Sequence, residues 1–235
     1  MKVRVKFEKT GVMKFIGHLD MMRYFQKAIR RAGIDVAFSE GFSPHMIMSF
    51  AYPLGVGMTS SAEYFDMELR TPMTSREMED RLNEVMADGV TVLSVRQIPD
   101  GKSSKGMSLV AASDYYVDFR PGYEPQHNIQ EGLSSFMAEP SIIITKKTKR
   151  SEQETDIRPM IYRFELHDNR IFMQLASGSV NNLKPELVME AFYHHIGEDL
   201  KEFAWMIHKQ EIYADLGDES NRKLVSLESL GKIIE

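Results

Sequence analysis

The residues best suited to chemistry lie close together near the N-terminus: His18, Asp20, Arg23, Lys27, Arg30 and Arg31, followed by Ser39-Glu-Gly-Phe-Ser-Pro-His45. From His18 to Gly33, Leu19, Met22, Phe25, Ile29 and Ala32 recur every three or four residues, which predicts an amphipathic helix stopped by Gly33. On that helix Asp20, Arg23, Lys27, Arg30 and Arg31 fall opposite the apolar stripe. Such a ridge is either a solvated face on which Asp20 meets Arg23 or Tyr24, or a surface for phosphates. Guanidinium groups match phosphate oxygens bidentately, and lysine adds a point charge. His18 and Asp20 stand at the helix start, where unpaired N–H groups favour an anion. Their separation of two residues does not suit a shared helical metal site, which wants three or four. A further reading brings His18, Asp20 and His45 together as a His/carboxylate trio for a divalent metal or a small molecule. In the 39–45 segment, Gly41 and Pro44 fix a sharp turn whose edge carries Ser43 and His45, so the segment reads as a ligand loop from Ser39 onward.

Phosphate-binding and dinucleotide-binding glycine signatures are absent. Later in the chain Lys146-Lys-Thr-Lys-Arg150 forms a basic run, and Thr155-Asp156-Ile-Arg158-Pro159 follows it. With the helix ridge, this run would form a groove that tracks a nucleic-acid backbone, with Phe42, Phe50, Tyr52 or Tyr115 available to stack on bases. His194 and His195 are adjacent near a helix end, where they cannot both face one metal; one of them is expected to be buried.

The elements that would position these residues follow from periodicity. Val3, Val5 and Phe7 alternate with Lys2, Arg4 and Lys6, a half-buried strand. Next come the His18 helix, an apolar stretch 46–52, a strand 63–69, a helix from Ser75 to about Asp88 and a strand 90–98. This β-α-β-β-α-β order is that of a ferredoxin-like unit, whose second sheet face something else must cover. Residues 115–120, 129–138, 141–147, 160–167, 170–176, 183–195 and 203–213 repeat the order, with Asp168-Asn169 as a hairpin turn. The expected architecture is α+β, with two tandem ferredoxin-like units (βαββαβ-type) built on antiparallel sheets. They occupy 1–99 and 113–215, joined by a linker at 100–112 and trailed by a mobile or loosely docked tail at 216–235.

With 235 residues, a net charge of −5 and no cysteine, the chain can form neither a disulfide nor an iron–sulfur cluster on its own thiolates. No apolar run is long enough to span a bilayer, and the N-terminus lacks a signal-peptide pattern. A cytoplasmic protein without membrane association is expected. The 17 methionines are expected chiefly to fill cores.

The runs Phe15-Ile-Gly-His18-Leu-Asp20-Met-Met-Arg23, Arg30-Arg31-Ala-Gly33, Ser39-Glu-Gly-Phe-Ser-Pro44, Pro53-Leu-Gly-Val56 and Glu63-Tyr-Phe-Asp66 closely resemble the radical-SAM-linked protein family. That family is a domain of undetermined activity found beside or fused to radical SAM proteins with a cobalamin-binding-type domain. Gly17 departs from the serine the family pattern leads one to expect, and His45-Met46 departs from its usual proline-rich continuation. The resemblance implies an accessory, substrate-presenting partner of a radical SAM enzyme, acting on RNA rather than DNA. No cofactor would be bound by this chain; S-adenosylmethionine, an iron–sulfur cluster and cobalamin would belong to the partner. Arg158, with Asp156, falls in a later stretch that also resembles the family. The competing expectation is an RNA-modifying enzyme of pseudouridine-synthase-like topology with Asp20 or Asp156 as its catalytic carboxylate.

Overall fold

Alternating apolar and cationic residues in the first strand give it two faces, and burial distinguishes them. Val3, Val5 and Phe7 are fully buried, yet so is Arg4, at 2% exposure. The polar face of this strand is therefore covered as well. In this computed structural model, which describes every residue except 102–103, 148–151 and 219–220, the chain begins with β1 (Lys2–Lys9), α1 (His18–Arg31), β2 (Met48–Phe50), β3 (Thr59–Glu68), α2 (Ser75–Asn83), β4 (Val90–Gln97) and α3 (Gly106–Leu109). It continues through β5 (Val110–Phe119), α4 (Ile129–Ala138), β6 (Ile143–Lys147), β7 (Glu152–Asp156), β8 (Ile161–His167), β9 (Arg170–Ala176), α5 (Pro185–His195), β10 (Trp205–Asp215) and β11 (Leu224–Ser226). The fold is α+β. No described helix is long and apolar enough to cross a membrane.

Two compact units divide the chain: Met1–Ala111 with Lys209–Glu235, and Ala112–His208. The first is thus discontinuous, which differs from the expected 1–99 and 113–215 division. Within it β1 pairs antiparallel with β3 and with β4, and β2 pairs antiparallel with β3. One face of this sheet carries α1 and α2, whose Met21, Phe25, Ile29, Met78 and Leu82 join Val3, Val5, Phe7, Phe65 and Met67 in one core. Thr74 caps α2 by accepting from Glu77 N–H at 3.2 Å. This helix stops at Asn83 rather than near Asp88, because the Asn83 side chain turns to β4, donating to Val92 O at 2.9 Å and accepting from Val92 N at 2.8 Å.

The opposite face is closed by parts of the chain expected to be linker and tail. Leu227 is fully buried with Ala51, Ala62, Tyr64, Val110, Ile212 and Ala214. β11 pairs with β10, and Gln97 bridges Lys232. Gly106 N donates to Asp66 Oδ2 at 2.7 Å inside the supposed linker. A β-carbon on Gly106 would stand 3.0 Å from that of Ala51 and 3.3 Å from Arg4 Nη2, so a side chain there would crowd both.

In the second unit β5 pairs antiparallel with β9, and β9 with β8. Asp168 and Asn169 both adopt positive φ (47° and 66°), the left-handed pair that a two-residue hairpin turn requires. The β7 strand was not visible in the sequence pattern. It pairs with β6 as a separate two-stranded ribbon. Residues 148–150 of the basic run Lys146–Arg150 lie outside the described residues. Phe136 of α4 packs with Phe164 and Phe192 in this unit, its ring 5.8 Å from that of Phe192, and Leu133 of the same helix is buried.

Because Leu227 is built into the first unit, Leu227→Ala is expected to cost about 2–5 kcal/mol of stability, the range for emptying a buried leucine site. Urea denaturation followed by circular dichroism measures this. A loosely docked tail would instead give a change within about 0.5 kcal/mol.

Candidate functional site

The face that α1 presents is set by the aromatic core beneath it. Phe25 lies 4.6 Å from Phe7 and 4.7 Å from Phe65, ring centroid to ring centroid. Met21, Phe25, Ala28 and Ile29 are consequently the buried residues of α1. Leu19, expected in the apolar stripe, is 61% exposed, because Met21, Phe25 and Ile29 set the buried face and Leu19, two residues from Met21, lies on the far side of the helix from it. Arg23, Lys27, Arg30 and Arg31 are all exposed, as the spacing predicts. Arg23 Nη1 pairs with Asp20 Oδ1 at 3.1 Å, and Arg31 Nη2 donates to Val85 O at 3.1 Å. Lys27 and Arg30 make no ion pair among the described residues. Around the N-terminus of α1 stand the exposed apolar side chains Val12, Phe15, Leu19 and Val56. Gly57 N donates to Lys14 O at 2.8 Å, which ties the 53–58 loop to this rim.

His18 begins α1 behind Gly17, which offers no side-chain cap. Its ring stands edge-on to Phe50 at 5.2 Å. Beneath it lies a cavity of about 10 Å³ lined by Phe7, Lys9, Met21, Phe50, Leu54 and Glu63, among others. Glu63 is ion-paired to Lys209, Nζ to Oε1 at 2.8 Å, with both side chains almost fully buried. Lys209 also donates to Tyr52 O at 3.1 Å and lies 4.7 Å from the Tyr52 ring centre. Lys9 Nζ donates to Ile16 O at 2.6 Å. Burial lowers the Lys209 pKa, with Glu63 compensating only in part. Burial also lowers that of Lys9; the Glu63 charge opposes this and the nearby Lys209 adds to it.

The 39–45 segment closes on itself. Ser39 N donates to His45 O at 2.8 Å, Ser39 Oγ accepts from His45 N at 3.1 Å, and Ser39 Oγ lies 2.8 Å from His45 Nδ1. Phe42 and Ser43 are exposed at its tip, where Gly41 adopts a positive φ of 106°. His45 borders a second cavity of about 210 Å³, with Met46, Met48, Met67, Ile98 and the cations Lys2 and Lys105 around it. His18 and His45 therefore serve different cavities. Among the described residues no three His, Asp or Glu side chains are grouped to hold a metal, so the His18/Asp20/His45 trio is not assembled.

Other expected site residues have local structural tasks. Asp156 Oδ1 accepts from Ile142 N at 2.8 Å and Arg158 N at 3.0 Å, fixing the end of β7. Arg158 Nη2 donates to Met137 O at 3.0 Å. Phe50 and Tyr115, read as stacking surfaces, are core residues, whereas Phe42 is fully exposed. His194 is exposed and His195 only half-buried, correcting the expectation that one is buried. His195 Nε2 lies 2.8 Å from Ser135 Oγ.

Sequence reasoning missed Lys9, Glu63 and Lys209. Lys209 is 146 residues from its partner, and nothing local marks any of the three as buried. Glu63→Gln leaves both lysines without the carboxylate that offsets them, an expected loss of about 3–5 kcal/mol at pH 7. The folded pKa of each lysine lies below its unfolded value of 10.5. Folding therefore gains stability as pH rises through that window, since the unfolded chain binds more protons there. The gap between variant and wild type is expected to narrow from pH 7 to pH 10 in urea denaturation, and a constant gap contradicts the charge argument.

No curated protein sequence matches the chain. Residues 2–185, which include α1, the 39–45 loop and both cavity-lining strands β1 and β3, match the family described as an uncharacterized protein conserved in bacteria, DUF2344. The chain belongs to that family.

Proposed function

We propose that the chain is a non-catalytic, substrate-presenting partner of a radical SAM enzyme in the cytoplasm, and that it grips RNA through the exposed cationic side of α1. The observation that carries the reading is the pair Lys27 and Arg30, two exposed cations on one helix face with no carboxylate among the described residues within ion-pair distance. A ridge of this kind releases counterions when phosphates replace them, and the affinity it gives depends steeply on salt. The exposed Phe42 at the tip of the 39–45 turn offers an aromatic face of the sort that stacks on unpaired bases. The absence of cysteine supports a division of labour in which the partner holds the iron–sulfur cluster, S-adenosylmethionine and cobalamin. The radical SAM partner itself rests on the sequence resemblance.

The same reading takes both units as ferredoxin-like. It is supported in the first unit by the antiparallel neighbours β4-β1-β3-β2, and in the second by β5-β9-β8. A sheet of this kind with helices on one face gives a rigid base for an exposed helical ridge.

Binding of transfer RNA and ribosomal RNA fragments at several salt concentrations tests the proposal. Wild type is expected to bind with a log–log salt dependence. Lys27→Glu/Arg30→Glu is expected to bind at least tenfold more weakly, with its salt slope smaller by about two. Both positions are exposed, so the variant should fold normally. Equal binding by the two proteins, or no binding by wild type, overturns the RNA reading. Failure of the purified chain and a radical SAM protein to associate at micromolar concentration, with and without RNA, overturns the partner reading.

A further inference from the structure

The charges buried beneath His18 do not balance. Lys9 and Lys209 are 3% and 1% exposed and share one buried carboxylate, that of Glu63. Lys209 takes it at 2.8 Å. Among the described residues no carboxylate comes within ion-pair distance of Lys9, and its ammonium has a single acceptor, Ile16 O. An ammonium has three donors, so two remain to be met, and a buried cation without a counter-charge costs several kcal/mol. Lys9 lines the cavity below His18, about 10 Å³ in volume, which is room for one oxygen-sized group. Its other walls come from β1 (Phe7), α1 (His18, Met21), the 50–54 segment (Phe50, Pro53, Leu54) and β3 (Glu63), so Lys9, His18 and Glu63 are the titratable groups that face it.

We propose that this cavity is a receptor for the carboxylate of a small organic acid with an apolar tail, one oxygen accepting from Lys9 and His18 standing at the entrance. With the carboxylate in place, two buried ammonium groups face two carboxylates. The cavity distinguishes a carboxylate from a phosphate. A flat carboxylate puts one oxygen inside and leaves a carbon tail for Phe50 and Leu54. A tetrahedral phosphate carries more charged oxygens than the one-oxygen space beside Lys9 can take, and the rest would be pressed against the apolar walls at a desolvation cost. The site is independent of the RNA reading, since neither Lys27 nor Arg30 lines it.

The test titrates the full-length chain with butyrate, acetate and inorganic phosphate at constant ionic strength. It follows the His18 ring resonances, assigned by their loss in His18→Gln, together with the thermal midpoint. Butyrate is expected to shift the His18 signals saturably and raise the midpoint, acetate to do so more weakly, and phosphate to do neither. Lys9→Met, which removes an unbalanced charge and keeps an unbranched chain, is expected to fold and to lose at least tenfold in butyrate affinity. His18→Gln, at an exposed position, is expected to bind butyrate severalfold more weakly. If Lys9→Met fails to fold, the wild-type titration and His18→Gln still decide. A response to phosphate equal to that to butyrate, a linear response that never saturates, or unchanged butyrate affinity in either folded variant overturns the proposal; a cavity that holds only water gives the linear result.

Discussion

The first unit depends on one buried ion pair. Arg4 meets Asp66 with two parallel hydrogen bonds, Nε to Oδ1 at 2.8 Å and Nη2 to Oδ2 at 3.0 Å. A guanidinium is tolerable inside a protein only when its charge and its donors are both satisfied. Here the remaining donors reach Leu227 O at 3.1 Å and Ser104 O at 2.8 Å. The pair thus joins β1 and β3, and draws in both the segment before α3 and the residues after β11. It also sits at a point of direct register, Arg4 opposite Asp66 in the β1–β3 ladder. Since side chains alternate along a strand, that register fixes which residues face the helices. Val5, Phe7 and Phe65 turn to α1, and α1 in response buries Phe25 and Ile29 and leaves Lys27 and Arg30 outside.

The two faces of this sheet resolve their charges differently. On the face of Arg4, Lys6 reaches both Glu211 at 2.8 Å and Glu228 at 3.1 Å, and the Tyr64 hydroxyl donates to Glu211 at 2.6 Å. Burial works against the Lys6 ammonium, but the two carboxylates outweigh it and raise its pKa. Burial, with Glu211 adding to it, drives the Tyr64 pKa far upward. Both groups favour the fold in their protonated forms, so this stabilisation is complete below about pH 10 and is lost as the solution becomes more alkaline. On the helix face the sign reverses, because Lys9 and Lys209 have one carboxylate between them. The cavity under His18 lies where the sheet is overcharged, and that imbalance separates it from an ordinary packing defect.

Much of this was legible in the sequence, and the part that was not has a common cause. Residues 129–138 and 170–176 form the expected helix and strand because their periodicity is carried by neighbours in the chain. The exposed cations of α1 were readable for the same reason. Alternation in β1 also implied a second sheet face needing cover. What covers it was unreadable, because residues 216–235 show little sequence pattern and dock through long-range partners: β11 on β10, Leu227 in the core, and the Ser75 Oγ that accepts from Ile234 N at 2.9 Å. Arg4 looked like a solvated strand residue until Asp66, 62 positions away, was placed beside it. Lys9 and Lys209 were hidden likewise. Asp156 and Arg158 drew notice as a polar motif, but their hydrogen bonds close a strand end and a helix end rather than a site.

The central proposal is that α1 and the 39–45 turn form the working surface of this chain. Hydrogen–deuterium exchange of the free protein and of the protein saturated with transfer RNA at low salt tests it most directly. The account predicts slowed exchange within residues 18–31 and 39–45, reversed by raising the salt, with the buried strands β1 and β3 unchanged. Slowed exchange confined to residues 112–208, or no change anywhere at saturating RNA, would contradict it.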